Sequence, residues 1–87
     1  MIIVWDEPKR RQNLAKHGLD FAALTSEFFL DALVGPARED RFKAMGRLGD
    51  GIVAVVFARR GAEGVSVISL RPASKTERTL YDQATGR

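Results

Sequence analysis

Seven residues near the middle of the chain, IVAVVFA at 52–58, are apolar on both faces of any extended segment. A run of that kind belongs in the interior of a sheet, with a hydrogen-bonded neighbour on each edge. Turn signals bound it on both sides, GDG at 49–51 and RRGAEG at 59–64. Before the first turn, RFKAMGRL (41–48) alternates, with Arg41, Lys43 and Arg47 on one face and Phe42, Ala44 and Leu48 on the other. That is the pattern of a half-exposed strand. After the second turn, VSVISLR (65–71) reads as the last strand, with Val65, Val67, Ser69 and Arg71 on one face. The three strands form an antiparallel meander, and everything else must be arranged around it.

The N-terminal IIVW (2–5) is a short β-branched strand. Asp6 or Glu7 caps a first helix that tolerates Pro8 in its opening turn and stops at Gly18. Asp20 caps a second helix, about 21–29, which turns Phe21, Leu24 and Phe28 inward with Ala22 and Phe29 beside them. Residues 31–37 are a weak edge strand broken by GP. Ser74 opens a final helix, about 75–84, through the capping box SKTE. The order predicts an α+β domain spanning residues 1–87. It has an antiparallel sheet of about four to five strands, two N-terminal helices and one C-terminal helix, with the helices on one face and the other face partly open.

The 87 residues leave room for one domain. There is no cysteine, which removes disulfides and thiolate metal sites, and His17 is the only histidine, which argues against an ordinary zinc site. No apolar run approaches the roughly 20 residues of a membrane span. The N-terminus has no basic n-region, so the expectation is a cytoplasmic protein without metal or cofactor. The net charge is +3, and the distribution matters more than the total. Basic residues gather at 9–17, at 38–47, at 59–60 and at 71–78.

The first helix is unusual in having little to bury. Between Lys9 and His17 only Leu14 and Ala15 are apolar. On a helical wheel Lys9, Asn13, Lys16 and His17 form one stripe, opposite a thin seam of Leu14 and Ala15. A solvated face explains such a stripe. However, solvated helices usually mix signs to form i, i+4 pairs, and this one has no acid after Glu7. A stripe of one sign fits a phosphate-rich partner. His17 likewise has two readings: a cation suited to a helix C-terminus, or a general acid or base beside a phosphate.

In SLRPASKTERTLYDQ (69–83), Glu77 has a structural explanation as the third residue of the capping box. It also shares the packed face of the helix with Leu80, Tyr81 and Ala84, so it should be paired, with Arg71 as a partner. Arg78 and Asp82 read as an exposed i, i+4 pair.

Three segments, WDEPKRRQNLAKHGLDF, EDRFKAMG and ISLRPASKTERTLY, together resemble the BrnT family of bacterial type II toxins. The matching positions run in order through Trp5, Asp6, Lys9, Asn13, Lys16, His17, Gly18 and Phe21. They continue through Arg41, Gly46, Ile68, Ser69, Arg71, Ala73, Glu77, Arg78 and Tyr81. Leu70 stands where the family has alanine, and Pro72 where a basic residue is usual. The resemblance implies a compact fold like the RelE and ParE toxins and a ribonuclease activity that stops translation. It also implies a ribbon-helix-helix antitoxin of the BrnA type, through which operator DNA is bound.

Without a metal, RNA cleavage uses the substrate's own 2′-hydroxyl as nucleophile. It needs a base, an acid for the leaving 5′-oxygen, and cations on the non-bridging oxygens. Arg71 is assigned to the phosphate, and His17 and Glu77 to proton transfer. Lys9, Asn13 and Lys16 are assigned to RNA binding, joined by Arg41, Arg78 and Tyr81; Tyr81 is also readable as core. The competing reading is a non-enzymatic nucleic-acid- or protein-binding module with a basic surface.

Overall fold

The structure, a computed structural model, describes residues 1–86. Five strands form one sheet in the order β1-β5-β4-β3-β2: β1 (Ile2–Trp5), β2 (Leu33–Pro36), β3 (Arg41–Leu48), β4 (Gly51–Arg60) and β5 (Gly64–Pro72). Strands β2 to β5 are the antiparallel meander, with the doubly apolar β4 inside it. The sheet is not wholly antiparallel. β1 pairs parallel to β5, with Ile2 opposite Gly64 and Trp5 opposite Val67. The chain leaves β1, crosses the sheet through the N-terminal helices to β2 on the far edge, and returns by the meander, so β1 and β5 meet pointing the same way.

The β4–β5 register shifts: Val56 faces Ser69, yet Phe57 faces Val67. Ile68 is the extra residue of a β-bulge, and it reverses the alternation downstream. Strict alternation would leave Arg71 on the face of Val65 and Val67. Instead Leu70 pairs with Val55 in the core, and Arg71 pairs with Ala54 on the opposite face. Every later consequence for Arg71 depends on that one inserted residue.

The main core lies on the face of Val53, Val55 and Phe57. It is closed by Phe21 and Leu24 and by α2 (Ser26–Asp31), which brings Phe28 and Phe29. The second helix thus differs from the expected 21–29. Asp20 caps only a 3₁₀ turn, Phe21–Ala23, and Ala22 stays exposed. Leu24 is extended, and Thr25 then starts α2 by accepting the Phe28 N–H at 3.2 Å. A second N-cap placed five residues after the first breaks the helix while keeping the predicted large residues inside. Gly46 of β3 permits close packing of α2, since a Cβ there would lie 2.9 Å from the Phe28 ring.

The opposite face carries α3 (Lys75–Ala84), with Tyr81 packed on Met45 and Ala54. Helices therefore lie on both faces, not one. A single short helix cannot cover five strands, and Val56, Ala58, Ser66 and Ser69 remain half-buried on this side. α1 (Glu7–His17) ends at Gly18 in the left-handed conformation, φ 69°, as its sequence predicts. No described helix is long and apolar enough to cross a membrane.

Candidate functional site

The capping box of α3 forms as the sequence specifies. Glu77 N–H donates to Ser74 Oγ at 3.1 Å, and Ser74 N–H donates to Glu77 Oε1 at 2.8 Å. The box aims the Glu77 carboxylate back toward the sheet, where the bulge has placed Arg71. The guanidinium donates from Nη1 to Oε1 at 2.7 Å and from Nη2 to Oε2 at 2.9 Å. Lys43, two strands across on β3, donates from Nζ to Oε2 at 2.8 Å. The Glu77 side chain is only 10% exposed, while those of Arg71 and Lys43 are 34% and 36% exposed. The acid lies underneath and the two cations above it.

This environment decides what Glu77 can do. Hydrogen bonds from Arg71, then from Lys43 and the Ser74 amide, hold its carboxyl far below the usual carboxylate range, against the opposing effect of burial. The same ion pair raises Arg71 above the usual guanidinium range. A carboxylate kept ionised and engaged by four donors is poorly suited to carry protons near neutral pH. The arrangement suits Glu77 to hold two cations rather than to the proton transfer expected of it. Lys43 was not among the residues singled out from the sequence. Its signal was the alternation that set Arg41, Lys43 and Arg47 on one face of β3.

α1 is seated in a way the helical wheel did not anticipate. Leu14 is 38% exposed, and Ala15 is exposed too. The buried residue is Asn13. Its Nδ2 donates to the carbonyls of Leu70 at 2.7 Å and Leu19 at 3.1 Å, and its Oδ1 accepts the Leu70 N–H at 3.0 Å. β1 stops opposite Val67, so the edge of β5 beyond it is unpaired, and one side-chain amide takes the place of a peptide group there. Both ends of the Asn13 amide are thus spent on backbone, so the side chain that was expected to contact RNA holds α1 to β5.

With Asn13 directed at β5, Arg10 and His17 lie about 60° and 40° to one side of it, and Lys9 and Lys16 about 40° and 60° to the other. Arg10 identifies the sides. Its guanidinium reaches Asp20, at 3.1 and 3.2 Å, next to the 3₁₀ turn of the main core. It also binds Glu7 at 2.7 Å, which, with the Trp5 indole N–H, lowers the Glu7 carboxyl to about 2. The opposite flank, with the exposed Lys9 and Lys16, therefore turns toward the face that holds Arg71 and Lys43. His17 is half-buried and makes no hydrogen bond or ion pair among the described residues.

Of the remaining candidates, Arg41 is half-buried on the same face of β3 as Lys43. Arg78 is exposed on α3 beside Glu77, and among the described residues no Arg78–Asp82 ion pair forms. Tyr81 is buried against Met45 and Ala54, the core packing that was the alternative to base stacking. Among the described residues no group of three potential ligands could hold a metal ion. The cation cluster lies on an open face, and two clefts elsewhere on the molecule are lined by other residues.

Residues 5–77 match the family described as "Ribonuclease toxin, BrnT, of type II toxin-antitoxin system". The fold is similar to the crystal structure of the Brucella abortus ribonuclease toxin, BrnT, with a TM-score of 0.81 and 56% sequence identity, covering 86% of this chain and 99% of that one. A search of the curated proteins found no match.

Proposed function

The chain belongs to the BrnT family of ribonuclease toxins of type II toxin–antitoxin systems, and on that premise we propose that it cleaves RNA without a metal ion, with Arg71 on the scissile phosphate. The observation that carries this reading is the pair Arg71 and Lys43, half-exposed above a buried carboxylate. The family assignment supports this reading over that of a non-enzymatic binding module.

In the proposed reaction the 2′-hydroxyl oxygen attacks the adjacent phosphorus and loses its proton to a base. The P–O5′ bond breaks, and the leaving oxygen takes a proton from an acid. The products are a 2′,3′-cyclic phosphate and a 5′-hydroxyl. Negative charge develops on the non-bridging oxygens, where a guanidinium is effective because two of its N–H groups match two oxygens. His17 is the proton-transfer residue. It follows Asn13 by one helical turn, on the flank of α1 that carries Arg10, with the helix pinned to Leu70 next to Arg71. Lys9, Lys16 and Arg41 hold the backbone of the RNA strand along the same face, and the exposed Arg78 extends it.

The antitoxin that the family implies is proposed to be of the ribbon-helix-helix, BrnA-like type, one per toxin, dimerising the assembly and carrying it to operator DNA. Both act in the cytoplasm. Cleavage of an RNA oligonucleotide by the purified protein tests the reading. Activity should persist in EDTA and vanish when the cleaved nucleotide is 2′-deoxy. Loss of activity in EDTA with recovery in magnesium, or cleavage of the 2′-deoxy substrate, overturns it.

A further inference from the structure

Arg71 and Lys43 share a carboxylate, and the way they share it leaves particular N–H groups unused. A guanidinium carries five N–H groups. In Arg71 one from Nη1 and one from Nη2 go to Glu77, and the other from Nη1 goes to the Pro72 carbonyl at 3.3 Å. The two that remain, Nε–H and the second Nη2–H, lie side by side on one edge of the planar group. That edge has the same spacing for a pair of oxygens as the one Glu77 occupies. Lys43 has three N–H groups and gives one to Glu77, which leaves two. Glu77 itself has no capacity to spare, because its oxygens already accept from Arg71, Lys43 and the Ser74 amide.

From this geometry we propose that Glu77 is the positioning residue of a two-cation clamp for a phosphodiester, in which Arg71, through its Nε–Nη2 edge, and Lys43 are the groups that touch the substrate. The proposal rests on the ribonuclease reading above and adds Lys43, the edge of Arg71 and the task of Glu77 to it. A long, flexible arginine free in solvent loses rotamer freedom each time it grips a phosphate. Here that freedom is already removed, because the end-on edge is fixed by a carboxylate that is itself fixed by the helix cap. The side-on edge is thereby held ready where charge develops, which is the condition for effective transition-state stabilisation. Two adjacent cations would otherwise repel each other, and the carboxylate beneath them lets both approach one phosphate. The groups facing Glu77 from the packed elements are Arg71 from β5, Lys43 from β3 and the Ser74 amide from its own cap.

The test combines rates with a direct view of Arg71. Single-turnover RNA cleavage is measured against pH for the wild type, Glu77→Gln, Arg71→Gln and the double variant, with folded fractions from thermal melts. Misplacing a reacting partner by about 1 Å costs on the order of 100-fold, so Glu77→Gln should lose about that much while keeping the shape of the pH profile. In the Arg71→Gln background the same change should cost less than about threefold more, the non-additivity of groups that act as a unit. Disappearance of one limb of the pH profile in Glu77→Gln, or a repeated 100-fold loss in the Arg71→Gln background, overturns the proposal. Should Glu77→Gln melt below the assay temperature, Glu77→Asp replaces it, with the same expected pH profile and a reduced rate.

Independently of activity, the Nε–H resonance of Arg71 should shift in a nitrogen–proton NMR spectrum of the wild type on titration with a 2′-O-methyl RNA oligonucleotide. No shift in a protein that cleaves the unmodified RNA refutes the clamp and spares the ribonuclease reading. A wild type that cleaves no RNA refutes the reading itself.

Discussion

Asn13 and Arg71 are both polar, both reach across from one element to another at the C-terminal end of β5, and both are held by hydrogen bonds rather than apolar contact. They differ in what is left over. The amide of Asn13 has donor and acceptor fully matched to the Leu70 peptide groups and the Leu19 carbonyl, and it is buried. The guanidinium of Arg71 is matched on one edge only and remains half-exposed. A satisfied, buried polar group contributes to the fold. A cation fixed on one edge and open on the other is built to receive something. The number of unspent N–H groups, more than burial or charge alone, separates the structural residue from the functional one.

The largest effect expected from breaking this comparison is at Arg71. Replacement by Gln should reduce cleavage by roughly 100- to 1000-fold, the scale of losing one donor to a developing oxyanion, measured on folded protein under single turnover. Asn13→Ala comes next and acts on the fold. It strands the N–H and C=O of Leu70, which should lower stability by about 1–3 kcal/mol in urea unfolding.

A smaller effect sharpens the role of Glu77. Its carboxyl is depressed in the folded state, so it contributes stability that is present above the ordinary carboxylate pKa and lost as the pH falls below it. The melting-temperature gap between wild type and Glu77→Gln should be several degrees at pH 7, on the scale of about 1 kcal/mol in a domain this size. It should narrow steadily as the pH is lowered from about 4. A gap that stays constant with pH would mean that the carboxylate's charge does not matter to the fold. Smallest is the double change of Lys9 and Lys16 to Gln. Stability should move by less than about 0.5 kcal/mol, and the log–log salt slope of RNA binding should flatten by about 0.7 per lysine, as read from fluorescence anisotropy. An unchanged slope would make that flank of α1 a solvated face.

Local features were readable in the sequence because their causes are local. The Ser74–Glu77 box, the Gly18 stop, the edge strand at β2 and the central β4 each announce themselves within a few residues. The misread features have distant causes. Asn13 bonds to a backbone 57 positions away, so a wheel that ranks residues by polarity puts it on the exposed face and Leu14 inside. The bulge at Ile68 has no composition signature in VSVISLR, and without it Arg71 falls on the wrong face. Alternation along β5 was sound up to Val67 and inverted after it. The second helix was lost to Thr25, a cap whose competition with Asp20 is visible but not decidable from propensity. Lys43 was legible as a face and not as a partner, because its distance to Glu77 depends on which face α3 covers.

The most direct test of the contrast is the cleavage rate per folded molecule for Asn13→Ala and Arg71→Gln, compared side by side in EDTA at a temperature where both are folded. Asn13→Ala should cleave within about threefold of the wild type despite its lower stability, whereas Arg71→Gln should keep its melting temperature to within several degrees and lose roughly 100-fold or more. Equal losses of rate in the two variants, or the larger loss in Asn13→Ala, would contradict the division between a residue that holds β5 and a residue that holds the phosphate.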